Sequence, residues 1–421
     1  MDGEGRPPRK EGNVKNIRFL TTSLYVFGFL DLFAVALIIP VASRQATNLG
    51  ASPAAVGLVG TIYGTLQLIS APLVGRWSDV GGRRLTLLLC LFFTSVGYIL
   101  MGLSTSIVYY LLARVPLGIF KHSVSITRAY LAEITPKSER ARVFGYFNGI
   151  SSIGFIIGPL IGGHLAEMDN GFFKVSLITS ALFALWFVFV LLFMTEPEHR
   201  GLPNTKSVQD FTADEFGSKF HSSLHTFKEI IKSGPELFFI RFLQGFSATL
   251  FRSNFTLMLE QKFDSTPIIT GRIISFGSLA SALCAIGVGR LVKIYRNLPR
   301  LYFHACTLRI FAIVLIIFAP SIPSFLVFYF LLSMGNSVAR VCSTNLSIER
   351  GKVEDTGALL GLNQSVMSVC RTVSPLIAGV SQEVTSEGPA ILSVILSIGT
   401  AGLVATSVLE ERKISDKEKK L

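Results

Sequence analysis

Residues 107–131 read IVYYLLARVPLGIFKHSVSITRAYL. The run is long enough to cross a bilayer as one helix, yet it carries Arg114, Lys121, His122 and Arg128. Arg114, Lys121 and Arg128 stand seven residues apart, so on a continuous helix they share one face spread over about 40°. A cation at mid-bilayer costs roughly 2.5–3.5 kcal/mol on insertion scales, so such a row must face a wet cavity or partners. Arg128 would sit about 20 Å along the axis from Arg114, where it guards a mouth instead of contacting solute. The next apolar run holds Gly154-Phe155-Ile156-Ile157-Gly158-Pro159-Leu160-Ile161-Gly162-Gly163. Gly154, Gly158 and Gly162 recur at every fourth position around Pro159 and let another helix approach backbone to backbone. A charged face beside a smooth one implies a carrier.

The rest of the composition agrees. Half of the 421 residues are hydrophobic and only 16% are charged, which excludes an ordinary soluble domain and implies an all-α, multi-pass membrane protein. The net charge of +12 does not point to nucleic acid, because Lys and Arg gather in alternate loops and both tails. The lipid bilayer is the expected surface partner. The five cysteines (Cys90, Cys284, Cys306, Cys342, Cys370) lie in apolar runs without a CxxC pair, so neither a metal site nor any cofactor is expected. No catalytic grouping emerges, and the chain is not read as an enzyme.

Twelve runs are long enough to span: 17–43, 52–75, 84–104, 106–131, 142–165, 172–194, 236–258, 267–291, 300–320, 323–346, 357–380 and 389–409. The expected organisation is a tail over 1–16, a six-helix half over 17–194, a polar linker over 195–235, a second half over 236–409 and a tail over 410–421. One amphipathic helix is expected near His225–Lys232. Positive-inside loops place both termini in the cytosol, with Arg44, Lys174 and Lys262 as exceptions on the other side. The halves repeat: a shift of 216 places Gly361 on Gly145 and Pro375 on Pro159, and a shift of 214 places Gly271 on Gly57. Parallel repeats put a solute site between the halves near mid-membrane.

Between the second and third spans stands Gly75-Arg76-Trp77-Ser78-Asp79-Val80-Gly81-Gly82-Arg83-Arg84. Gly81 and Gly82 permit a tight turn, Arg83 and Arg84 anchor the next helix at the phosphate surface, and Asp79 can bridge to those arginines or meet a helix N-terminus.

This loop resembles the G-x-x-x-D-R-x-G-R-R signature of the major facilitator superfamily, with Val80 where Arg is usual. Arg114 with Gly118 resembles the family's fourth-helix motif. Gly154–Gly163 is similar to the fifth-helix motif of its proton-coupled antiporters, and Gly28-Phe29-Leu30-Asp31-Leu32 through Pro40 looks like the first helix of tetracycline-resistance-like carriers. The resemblance covers essentially the whole chain. It implies twelve helices in two pseudo-symmetric halves, rocker-switch alternating access, and a cytosolic gate formed by Gly75, Asp79, Gly82, Arg83 and Arg84. The matching loop of the second half, Gly289-Arg290-Leu291-Val292-Lys293, has Lys where the signature has Asp, so the gate role carries over to Asp79 alone.

Asp31 is the one acid well inside a span of the first half. It is read as the proton-coupling group or as a counter-ion to Arg114 or Lys121. His122 is the second proton-coupling candidate, with a hydrogen-bonded structural role as its alternative. Arg252, Arg309, Arg340 and Arg371 fall inside spans of the second half, with Asn254, Asn336, Asn363 and Gln364 as polar companions. Intramembrane cations outnumber acids, and a transported anion would balance them. The expected substrate contacts are Lys121, Arg309, Arg371, Asn363, Gln364 and Arg114, and the expected partners are a small organic solute, anionic, and protons. A monomer is expected. Two rivals stand: a proton antiporter exporting amphipathic cationic drugs, and a receptor or scaffold that keeps the fold without transport.

Overall fold

The computed structural model describes residues 11–136, 138–196, 235–295, 297–350 and 356–418. They form fourteen helices: α1 (Glu11–Asn48), α2 (Pro53–Gly81), α3 (Arg83–Gly102), α4 (Ile107–Phe120), α5 (Ser123–Ile134), α6 (Arg140–Ala166), α7 (Gly171–Phe193), α8 (Pro235–Ser253), α9 (Phe255–Phe263), α10 (Pro267–Tyr295), α11 (Leu298–Ile317), α12 (Ile322–Arg350), α13 (Thr356–Val384) and α14 (Gly388–Glu418). A lipid-embedded backbone has no water to pair with, so helices satisfy it internally. Among the described residues, nine helices are long and apolar enough to cross a membrane. The α4–α5 and α8–α9 pairs and α13 complete twelve crossings in two six-helix halves.

The fourth crossing is not the continuous helix expected over 106–131. The backbone leaves the helical region at Lys121 (ψ 61°) and His122 (ψ 10°), so Arg128 does not continue the face of Arg114 and Lys121. The freed carbonyls are satisfied from α2: Gln67 Nε2 donates to the Lys121 carbonyl at 3.1 Å, and Ser70 Oγ donates to that of Gly118 at 3.3 Å. The seventh crossing is likewise parted at Asn254 (φ −115°, ψ 27°) and runs on to Phe263 instead of stopping near 258. The linker from 197 to 234, including the helix expected near His225–Lys232, lies outside the described residues.

The first half packs one core, from Leu24 and Leu37 on α1 to Phe183 and Trp186 on α7. The second half divides its core into a cluster around Phe255 and Phe325 and another around Tyr302 and Cys342. Gly154, Gly158 and Gly162 do what their spacing implies: α6 lies along α1, and a Cβ at Gly154 would stand 2.5 Å from the Phe29 carbonyl oxygen.

The halves meet mainly through α2 with α13 and α6 with α10. Both contacts lie at the end of the bundle opposite the termini, and they obey the internal repeat. Gly57 abuts the Pro375 carbonyl and Gly271 the Pro159 carbonyl, while Gly163 faces Pro267 and Gly379 faces Pro53. At the end bearing the termini, Gly75, Gly145, Gly149, Gly287 and Gly289 have open space where a side chain would begin. Among the described residues, the glycine contacts that join the halves gather at the end opposite the termini.

Candidate functional site: a cation-lined cleft

The break in the fourth crossing is built around Asp31. Lys121 Nζ lies 2.6 Å from Asp31 Oδ1 and donates to Ser123 Oγ at 2.9 Å, while Ser123 Oγ donates to Asp31 Oδ2. The Asp31 side chain is 0% exposed and that of Lys121 7%. Lys121 also rests over the Phe183 ring at 4.8 Å. Of the two counter-ions considered for Asp31, the structure brings Lys121 to it; Lys121 therefore sits against α1 in an internal pair. His122, next in the chain, is buried with Nε2 2.8 Å from Ser70 Oγ.

Arg114 is held by aromatic neighbours. Its Nη2 donates to Tyr110 Oη at 2.8 Å, and its guanidinium lies 5.2 Å from the Tyr110 ring centroid and 6.0 Å from that of Tyr63. Such faces stabilise a cation without cancelling its charge. Tyr63 on α2 is within electrostatic reach of Arg114 and of Arg371 on α13. That phenol therefore stands between the cations of the two halves.

From the second half come Arg371, Arg252 on α8 and Arg340 on α12, all exposed. Arg252 feels the charge of both Arg340 and Arg371, so three helices deliver repelling cations to one region. Among the described residues no carboxylate forms an ion pair with any of them. Gln364 is exposed on the same helix as Arg371; the side chain of Asn363 lies outside the described residues. Arg128 is exposed on α5, bonded to Asn148 Oδ1 at 2.8 Å. Arg309 is different. It is 1% exposed and enclosed among helices of the second half, away from the others.

The loop between α2 and α3 folds as an ionic cluster. Arg83 pairs with Asp79 and with Glu133 Oε1 (2.8 Å), and donates to Ser78 Oγ at 3.0 Å. The Glu196 carboxylate caps the N-terminus of α3, accepting from the Arg83 amide and, at 3.0 Å, from that of Arg84. Gly82 turns the chain with φ +99°, and a Cβ there would meet the Glu196 carboxyl at 2.9 Å. Arg84 donates to the Leu191 carbonyl at 2.7 Å. These partners all belong to the first half. Nothing local in the sequence marks Glu133 and Glu196 as partners of this loop, because an acid at each end of a short polar stretch is commonplace.

At the end where the halves join, the repeat is chemical as well as steric. Glu383 at the end of α13 accepts from Ser52 Oγ at 2.7 Å and from the Ala54 amide at 3.3 Å, at the N-terminus of α2. Glu167 accepts from the Ile268 amide at 3.4 Å, at the N-terminus of α10. Arg44 and Lys262, two of the cations out of place by loop charge, are paired: Arg44 with Glu260 (3.5 Å) and Lys262 with Glu387 (3.1 Å). A cavity of about 620 Å³ opens at this end between Val41, Arg44, Glu167, Phe172 and Pro267, and none of Arg371, Arg252, Arg340 and Arg114 lines it.

The family model described as Major Facilitator Superfamily matches residues 24–410. Multidrug resistance protein 2 of Bacillus subtilis (strain 168) is 26% identical over 391 residues, covering 91% of this chain and 94% of that protein. The quinolone resistance protein NorA of Staphylococcus aureus (strain Mu50 / ATCC 700699) is 25% identical over 402 residues, covering 94% and 98%. Among solved structures, the human organic anion transporter MFSD10 (TETRAN) superposes with TM-score 0.64 at 21% identity, covering 95% of this chain and all of that one. The nucleoside transporter NupG superposes with TM-score 0.69 at 14% identity, covering 92% and 98%.

Proposed function

The chain belongs to the Major Facilitator Superfamily and is a membrane transporter; from that premise we propose that its solute is a small organic anion, moved by alternating access and coupled to protons. The observation that carries this reading is the nearness of Arg252 to both Arg340 and Arg371, with Arg371 in turn within electrostatic reach of Tyr63; among the described residues no carboxylate pairs with these three arginines, and Asp31, which also reaches Tyr63, is paired with Lys121. Repelling cations within a membrane-spanning bundle are stabilised by an arriving anion, which receives charge-assisted hydrogen bonds in return. Tyr63 supplies a ring and a hydroxyl for an aromatic or polar body.

With both termini in the cytosol, the end where the halves join faces outward, and the end bearing the termini faces inward and is the open one. The anion enters between the halves and meets Arg371 beside Tyr63. The Asp79–Arg83 cluster, confined to the first half while that end is open, is the gate that meets the second half when it closes. Asp31 is the proton-coupling group. A proton on its carboxylate removes the countercharge of Lys121, and the freed ammonium adds to the positive field of the cleft. His122, bonded to Ser70, fixes the break that presents Lys121. The protein acts as a monomer.

Export of amphipathic cationic drugs is the second reading; the bacterial relatives are named for multidrug and quinolone resistance. Titrating the purified protein with a fluorescent aromatic carboxylate and with its amine analogue separates the two. The carboxylate is expected to bind, with affinity falling as salt rises, and the amine not to. Tighter binding of the amine rejects the anion reading.

A further inference from the structure

Arg309 on α11 is enclosed at 1% exposure and is, after Trp186, the largest fully buried side chain among the described residues. Its Nη2 donates to Ser247 Oγ at 3.1 Å, while Nε and Nη1 have no partner. Among the described residues no carboxylate pairs with it. A guanidinium keeps its charge at any physiological pH and carries five donors, and leaving such a group buried without a countercharge is among the costliest arrangements in a fold.

The surroundings are built to keep it there. Gly335 on α12 makes room: a Cβ at that position would stand 2.8 Å from Arg309 Cγ. Ser247 on α8 bonds to Ser393 and Ser397 on α14, with both hydroxyl oxygens 2.8 Å from its own. All three serines are 0% exposed. The first half shows what serines do without such a cation: Ser95 and Ser180 clasp each other's hydroxyls and carbonyls and need nothing more. Ser247 and Ser393 repeat that reciprocal clasp. Ser397 on α14 and Arg309 on α11 join that clasp through the Ser247 hydroxyl.

We propose that Arg309, with Ser247 and Ser397, forms a binding site for a small inorganic anion, a halide, inside the second half. The unpaired Nε–H and Nη1–H supply two donors to a spherical anion, the Ser397 hydroxyl supplies a third by turning from Ser247 to the ion, and the anion supplies the countercharge. Its ligands come from α8, α11 and α14, so the bound ion ties together three helices that move as one body. Enclosure separates this site from the solute cleft, and it holds whatever the transported solute is.

Thermal unfolding of the purified chain, titrated with chloride against gluconate at equal ionic strength, tests it. Chloride is expected to raise the midpoint saturably through this site, whereas gluconate, too large to enter it, acts only through the solute cleft. Arg309→Met is expected to abolish the chloride effect, and Ser397→Ala to raise the half-saturating concentration about fivefold, the loss of one hydrogen bond. Arg371→Ala, in the cleft, is expected to leave it unchanged. Equal midpoints in chloride and gluconate for the Arg371→Ala chain overturn the proposal, as does an intact chloride effect in Arg309→Met. If Arg309→Met does not fold, bromide-soaked crystals of the unsubstituted chain decide: an anomalous peak beside the guanidinium supports the site, and its absence at saturating bromide overturns it.

Discussion

Ser52 at the start of α2 donates its hydroxyl to Glu383 at the end of α13, 2.7 Å away across the junction of the halves. Glu167, 216 residues before Glu383, repeats the arrangement at the N-terminus of α10. Each half thus ends a helix with a carboxylate that caps a helix of the other. A carboxylate at a helix N-terminus contributes about 0.3–1 kcal/mol at an exposed site. The double substitution Glu167→Gln with Glu383→Gln is expected to shift the population toward opening at this end, about tenfold, measured by thiol labelling of a cysteine placed in the 49–52 loop. Unchanged labelling would show that glycine packing alone keeps this end shut.

The Asp31–Lys121 pair carries the proposed proton coupling. Removing one partner of a buried pair costs about 3–5 kcal/mol, so Asp31→Asn is expected to lower the unfolding midpoint and to leave transport insensitive to a pH gradient. Asp31→Asn with Lys121→Met removes both charges and is expected to recover stability without recovering pH dependence. A double variant whose flux still follows the proton gradient would contradict the assignment.

Gly82 is constrained twice, by a positive φ and by the Glu196 carboxyl. Gly82→Ala is expected to destabilise the chain by about 1–3 kcal/mol, the usual cost of a strained backbone position. In a Glu196→Ala background that cost should shrink but persist, because the backbone term remains. Equal costs in both backgrounds would remove Glu196 from the explanation.

Glu387 gives the joined end an acid limit. Burial pushes its carboxyl up, but hydrogen bonds from Ser386 and Lys262 and the charge of Lys262 outweigh it, holding the group below its ordinary 4.5. A depressed folded value means that the stabilisation is complete above the unfolded value and is lost as pH falls through the folded one. The contact between Lys262 and the α13–α14 turn is expected to hold at neutral pH and loosen below about pH 4.5, followed by hydrogen exchange at residues 385–388. Lys262→Met is expected to flatten that profile.

Which of these features the sequence can reveal follows from how local each one is. Gly154, Gly158 and Gly162 announce a close helix contact by spacing alone, and Pro375 and Gly271 betray the repeat that places the two closures. Asp31 shows as a buried acid, though the choice between Arg114 and Lys121 needs the break at Lys121–His122. That break is invisible in the sequence, because Gln67 and Ser70, which satisfy its carbonyls, lie about fifty positions away on another helix. Arg309 reads as a solute contact from its depth; its enclosure depends on Gly335 and the α14 serines. Depth is readable from sequence, whereas facing direction is set by neighbours distant in the chain.

The most direct measurement of the central claim is solute counterflow in liposomes holding the purified protein. Preloaded with an aromatic carboxylate, the liposomes are expected to accumulate labelled carboxylate, and Arg371→Ala is expected to weaken the half-saturating concentration roughly ten- to a hundredfold, the loss of a charge-assisted hydrogen bond. Accumulation of a cationic probe instead, or carboxylate flux indifferent to Arg371, Arg252 and Arg340, would contradict the account.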